Sequence, residues 1–102
     1  MAATLVVVRD DQPPAIVLHV YDEVDLANAD ELEAEIVACA TAERIVVDLS
    51  ECRYIDSSGL RALIRAHKKL GTRLQIVIAS KGNIRRLFEI TELLTKLPVT
   101  TA

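Results

Sequence analysis

The sequence predicts an α/β fold: a single domain over residues 1–102, with a mixed central β-sheet of four to five strands and helices packed against it. Three observations carry this expectation. From residue 15 onward, strand-like runs alternate with stretches of helical periodicity, the pattern of a layered α/β domain. One run, Ile45-Val46-Val47, is continuously apolar, as in a strand covered on both faces or only partly exposed on one. The first two runs are joined by a short proline turn, which predicts an antiparallel hairpin and therefore a mixed sheet. A chain of 102 residues fits one domain, and an apolar content of 51% supplies a core. That core must be aliphatic, because the aromatics are Tyr21, Tyr54 and Phe88 alone.

Thr4 to Val8 is a short β-rich run, broken by Asp10-Asp11-Gln12-Pro13-Pro14, since proline fixes φ and cannot donate to a ladder. Ala15 to Val20 resumes as a second strand and leads into an acidic loop, Tyr21 to Asp25. Leu26 to about Ala40 is helical: Leu32, Ile36 and Cys39 recur at i, i+4, i+7, with Asp30, Glu31, Glu33 and Glu35 towards solvent. Acids in the first turns suit the positive end of the helix dipole. Arg44 to Leu49 is the third strand and Ser50 to Ile55 an exit loop. Ser58 to Leu70 is the second helix, ended by Gly71, with Leu60, Leu63, Ile64, His67 and Leu70 inward and Arg61, Arg65, Lys68 and Lys69 outward. Arg73 to Ala79 is the fourth strand, and Ser80 to about Ile90 a third helix with Ile84, Leu87 and Phe88 inward. Leu93 to Val99 reads as a short helix or a final edge strand stopped by Pro98.

Charge and composition narrow the function classes. Residues 1–52 carry twelve acids against Arg9 and Arg44, a net of −10, whereas residues 53–102 carry a net of +7. In a folded domain this predicts opposed acidic and basic faces able to steer partners. There is no apolar run of membrane-spanning length, and the start lacks the basic region and apolar stretch of a signal peptide. A cytoplasmic protein without membrane contact is expected. Cys39 and Cys52, thirteen residues apart, have no metal-ligand spacing and are expected as small buried apolar residues. Neither a metal nor a cofactor is expected. The basic second helix could meet phosphates, but three aromatics offer little base stacking and net charge is −3, so direct nucleic-acid binding is not expected.

Chemistry concentrates in Ile45 to Leu60, IVVDLSECRYIDSSGL. A buried strand ends, a short loop follows, and Asp56-Ser57-Ser58-Gly59 is delivered to a helix start. Serine and aspartate there are ordinary N-cap residues. Two hydroxyls and a carboxylate exceed what one cap requires, however. Gly59 in a first turn costs about 1 kcal/mol against alanine, and its bare backbone could admit a partner. A phosphate at a helix N-terminus is also tolerated by orphan N–H groups and the dipole. A hydrolytic serine fits poorly. Ser57 and His67, ten residues apart, lie ~15 Å apart along a continuous helix, beyond the reach of a nucleophile and its base. His19 sits in a strand pattern, and no nucleophile elbow is present.

The pattern D-L-S-x-C-x-Y-I-D-S-S-G-L from Asp48 to Leu60 resembles the signature of the STAS domain, found in bacterial anti-sigma factor antagonists. Asp22-Glu23-Val24-Asp25 is similar to that family's G-E-x-D loop, and Ile84 to Thr91 to its V-x-R-L-F-x-x-T segment. The resemblance implies a STAS-like fold and a non-enzymatic partner switch. The unmodified antagonist binds an anti-sigma factor that is also a GHKL-type serine kinase, and the sigma factor is released. Phosphorylation of the first serine after the motif aspartate, here Ser57, ends the complex, and a PPM-type phosphatase resets it. The resemblance further places a neighbouring hydroxyl at Ser58 and a loop aspartate beside the phosphosite at Asp25, and partner contacts are expected at Asp25, Asp56, Ser58, Gly59 and Arg61. Three positions depart from the pattern: Asp22 and Glu92 stand where glycines are usual, leaving room for another backbone shape at Asp22, and Arg61 where a second glycine is frequent. The alternative is a STAS binding module serving a transporter, a lipid-trafficking complex or a sensory scaffold.

Overall fold

The computed structural model describes residues 5–102. Strand β1 (Leu5–Gln12) and β2 (Ala15–Val24) form an antiparallel hairpin, Gln12 facing Ala15 across a two-residue turn at Pro13-Pro14, whose peptide bond is cis. Helix α1 (Ala29–Val37) follows, then β3 (Arg44–Asp48) and β4 (Cys52–Ile55), both parallel to β2. Helix α2 (Ser57–Leu70) leads through one 3-10 turn to β5 (Leu74–Ile78). The chain ends with α3 (Asn83–Ile90), α4 (Leu93–Lys96) and β6 (Val99–Thr101). The sheet runs β1-β2-β3-β5-β6, with β4 continuing beside the far end of β2, so the expected mixed α/β sheet has six strands among the described residues.

Helix α1 is shorter than the expected Leu26 to Ala40, because the chain before Ala29 turns on the Asp25 carbonyl, and α3 begins at Asn83 rather than Ser80; the other departures also have local causes. The Thr4 start of the first strand lies outside the described residues. That strand continues through Asp10, Asp11 and Gln12 because the prolines interrupt the ladder only at the turn itself. The acidic stretch after Val20 is strand as far as Val24, held on one side by β1 and on the other by β4. The expected exit loop contains β4, in which the adjacent exposed Arg53 and Tyr54 lie between buried Cys52 and Ile55, so no alternation marks it as a strand. Both alternatives for Leu93 to Val99 are realised in sequence, α4 then β6, with Pro98 preceding the strand rather than stopping it.

The core is aliphatic apart from Phe88, which is fully buried. Ile16, Leu18 and Val20 of β2, Ile45 and Val47 of β3, and Leu74, Ile76 and Ile78 of β5 point under the helices. Their neighbours, such as Val17, Val46 and Val77, are half-exposed on the opposite face. Ile45-Val46-Val47 is therefore the partly exposed kind of apolar run. Each fully buried Leu or Ile contributes roughly 1.5–3 kcal/mol of transfer free energy. The buried stripe of α2 is Gly59, Leu60, Ala62, Leu63, Ala66 and Leu70. It is rotated from the expected one, so His67 is only half-buried, with its Nδ1 enclosed and unpartnered.

Part of the charge division is met within the fold. Acidic α1 and basic α2 lie side by side, and Glu33 pairs with Lys69 at 3.2 Å and Arg65 at 3.7 Å. Such pairs near the surface contribute about 1 kcal/mol or less each; their consequence is a neutralised seam between the two helices.

Candidate functional site

The site is built where β4 meets α2. Asp48 ends β3, and its Oδ1 accepts a hydrogen bond from the Ser50 amide at 2.9 Å, turning the chain. Strand β4 then runs along the end of β2. The pairing shifts register between Asp22 and Glu23, where Asp22 takes φ 63°. Asp22 thus holds a left-handed backbone, the conformation a glycine adopts most readily. Glu92 behaves the same way, with φ 62° between α3 and α4.

The Asp56 amide donates to the Val24 carbonyl at 3.1 Å, extending the strand pairing by one bond. This bond ties the acidic segment to the helix start: Asp25 follows its acceptor residue and Ser57 follows its donor. Asp56 is the N-cap of α2, and its Oδ1 accepts from the amides of Ser58 at 2.9 Å and Gly59 at 3.1 Å. One carboxylate therefore satisfies two of the orphan donors of the first turn. Ser57 is the first helical residue and is exposed, while Ser58 is half-buried. Neither hydroxyl makes a hydrogen bond among the described residues, so neither serine caps the helix.

Gly59 has a structural cause that the sequence concealed. It is buried, and a Cβ there would meet Ile55 Cδ1 at 2.8 Å and Val24 Cγ1 at 2.9 Å, with Ile55 Cγ1 nearer still. The missing side chain lets α2 start against β2 and β4, so the bare backbone faces the chain's own interior rather than an approaching partner. Arg61, one turn on from Ser57, is exposed.

Asp25 is half-buried and folds into its own turn: its Oδ1 accepts from the Ala27 amide at 3.0 Å. That turn is pinned by Asn28, a residue to which the sequence reading assigned nothing. Asn28 Oδ1 accepts from the Asp25 amide at 2.9 Å, and its Nδ2 donates to the Glu23 carbonyl at 3.1 Å. It is the buried polar residue of the described core. Its position just before the Asp30-Glu31 helix start was the available signal, since Asn favours such turns. Asn83 closes the other side, its Nδ2 donating to the Arg53 carbonyl at 3.1 Å. Between α3 and the start of α2 lies a cleft of about 330 Å³ lined by Tyr54, Ile55, Asp56, Ser57, Asn83, Ile84 and Leu87. Ser57 sits on its rim.

Neither histidine is brought to the serine. His19 Nδ1 faces Asp48 at 3.3 Å on the sheet, and no hydrogen bond joins Ser57 to His19 or His67 among the described residues. Both cysteines are free and buried. Burial pushes both thiols above the ordinary cysteine range. Among the described residues, no helix is long and apolar enough to cross a membrane.

The family model described as STAS domain matches residues 6–102. The chain belongs to the STAS domain family. Among curated relatives, BtrV of Bordetella bronchiseptica, whose name places it with the anti-sigma factor antagonists, is 38% identical over 80 residues, covering 74% of this chain and 69% of BtrV. Among solved structures, an anti-sigma factor antagonist from Mycobacterium paratuberculosis superposes with a TM-score of 0.83 at 27% identity, over 94% of this chain and 85% of that one. SpoIIAA in its unphosphorylated form has a TM-score of 0.69 at 17% identity, over 99% of this chain and 88% of SpoIIAA, which is a likeness of fold. The six-stranded sheet and its helices are thus the STAS arrangement, and the Asp56-Ser57 junction lies within the matched region.

Proposed function

We propose that this STAS domain is an anti-sigma factor antagonist that works by partner switching in the cytoplasm. Unmodified, it binds an anti-sigma factor that is also a GHKL-type serine kinase, and the sigma factor is released. The kinase transfers the γ-phosphoryl group of ATP to Ser57 Oγ; ADP leaves, and the hydroxyl proton passes to a base on the kinase. The modified chain then dissociates. A PPM-type phosphatase hydrolyses the ester, returning serine and inorganic phosphate. In this scheme the chain is a binding surface, with Asp25, Asp56, Ser58 and Arg61 around the phosphosite, and it performs no catalysis itself.

The observation that carries the proposal is the exposed Ser57 whose hydroxyl is free, because Asp56 alone supplies the helix cap. A serine needed for capping would be a poor switch, since modification would damage the fold. The names of BtrV and of the Mycobacterium paratuberculosis structure support the antagonist class.

The block itself follows from charge and hydration. A phosphate adds about −1.5 to −2 charge. The dipole of α2 favours that charge, and the carboxylates of Asp56 and Asp25 oppose it, so the local terms partly cancel. The close-packed interior resists small deformations, and the cost falls on the interface, where a hydrated dianion must be desolvated. Loss of one or two contacts at about 1.4 kcal/mol per tenfold in affinity is sufficient for release.

Calorimetric titration of the purified chain against its GHKL-type anti-sigma factor tests the proposal. Ser57→Ala is expected to bind like the native chain, and Ser57→Asp at least tenfold more weakly with the fold retained. Equal binding by Ser57→Asp and the native chain would remove the switch from this position.

A further inference from the structure

Arg61 stands four residues after Ser57 in α2, one turn further along the same side of the helix, and both residues are exposed. Side chains at this spacing have Cβ atoms about 5–6 Å apart. From there a guanidinium fork reaches an anion carried by the earlier residue and can bond two of its oxygens at once. The other groups nearby are already committed. Arg65 faces Asp30 and Glu33, and Lys69 faces Glu33. Asp56 is held by two amides of the first turn, and Asp25 by the Ala27 amide. The opposite wall of the cleft, Asn83, Ile84 and Leu87, brings no charge. Arg61 makes no ion pair or hydrogen bond among the described residues. One turn along α2 from Ser57, Arg61 is therefore an uncommitted cation, and Asp56 beside the serine is a fixed carboxylate.

We propose that Arg61 is the resident counterion of phosphorylated Ser57. In the unmodified chain its guanidinium is free at the surface. Once the phosphate is present, the guanidinium folds back one turn and pairs with it, offsetting Asp56 and drawing both charges away from the docking surface. The inference rests on Ser57 being the modified residue and adds how this chain accommodates the modification. Where a family member has glycine at this position, no such pair can form.

The test uses the full chain with phosphoserine installed at position 57 by chemical ligation, so that it needs no kinase. Failure of any kinase to modify Ser57 would count against the partner switch and leave this measurement intact. The phosphorus resonance is followed through pH in the native chain, Arg61→Ala and Arg61→Gln, the last keeping the polar stem. The second ionisation of phosphoserine lies near about pH 6. It is expected a few tenths of a pH unit lower in the native chain than in either variant, because the guanidinium favours the dianion. Arg61→Lys should retain part of that shift, and about 1 M salt should erase it. Identical midpoints in the native chain and both neutral variants would overturn the proposal, as would a shift that survives high salt unchanged.

Discussion

Removing the carboxylate of Asp56 and removing the hydroxyl of Ser57 are expected to have very different consequences for stability, although the residues are adjacent. Asp56 accepts from two backbone amides, at 2.9 and 3.1 Å, that have no other acceptor in the first turn. Loss of such a cap costs about 1 kcal/mol and up to about 2, a figure that includes much of the interaction of the carboxylate with the dipole. Ser57 is exposed and caps nothing, and alanine is the better helix former by about 0.5 kcal/mol. For a domain near this size, 1 kcal/mol shifts Tm by about 4–8 °C. Asp56→Ala should therefore lower Tm by roughly 5–10 °C, and Ser57→Ala should move it by no more than about 3 °C in either direction. Asp56→Asn, which keeps an acceptor without the charge, should fall close to the native value. Thermal melts followed by far-ultraviolet circular dichroism, with urea titration as a second measure, are sufficient. The reasoning fails if Ser57→Ala costs as much as Asp56→Ala, because the serine would then be structural and its exposure misleading.

Three further outcomes follow from the same geometry. Gly59→Ala should destabilise by about 1–3 kcal/mol despite the helix-propensity gain, because the new methyl meets Ile55 and Val24; shortening Ile55 in the same chain should recover part of the loss in urea titrations. Glu92→Gly should stabilise by about 0.5 kcal/mol, relief of the left-handed backbone exceeding both the entropy of glycine and the exposed pair with Lys96; an unchanged or lowered urea midpoint would contradict this. Cys39 and Cys52 should resist thiol reagents until the chain unfolds, because burial raises both thiols. With folded values above the unfolded one, stability is complete below about pH 8.5 and declines as pH rises beyond it, since the unfolded chain ionises first; a midpoint that rises with pH in this window would contradict the sign.

The parts of the fold that were legible in the sequence are those where local pattern and final environment agree. Ile45-Val46-Val47, the Leu32-Ile36-Cys39 stripe and Gly71 after α2 each signal their element within a few residues. Strand β4 was hidden because it is four residues long, shows two outward polar positions, and owes its existence to pairing with the end of β2. The acidic strand end was hidden for a similar reason: Asp22 and Glu23 look like loop residues until the partner strands on both sides are known. At the site, the Asp56-Ser57 pair could be read directly, but the division of labour between them could not. By sequence Asp56 and both serines can all cap, and in the fold Asp56 alone does so. Gly59 and Asn28 depend on contacts between elements distant along the chain, at Val24 and Ile55 for the glycine and at Glu23 and Asp25 for the asparagine. No local pattern encodes such contacts.

If Ser57 is the switch, phosphosite mapping must find the phosphate on it. The purified chain is incubated with the proposed GHKL-type anti-sigma kinase and ATP, digested, and the peptide containing Asp56-Ser57-Ser58-Gly59 is fragmented in the mass spectrometer. A single phosphate on Ser57, absent from Ser57→Ala under the same conditions, is the expected result. Phosphate on Ser58, or none on this peptide while the kinase still binds the chain, would contradict it.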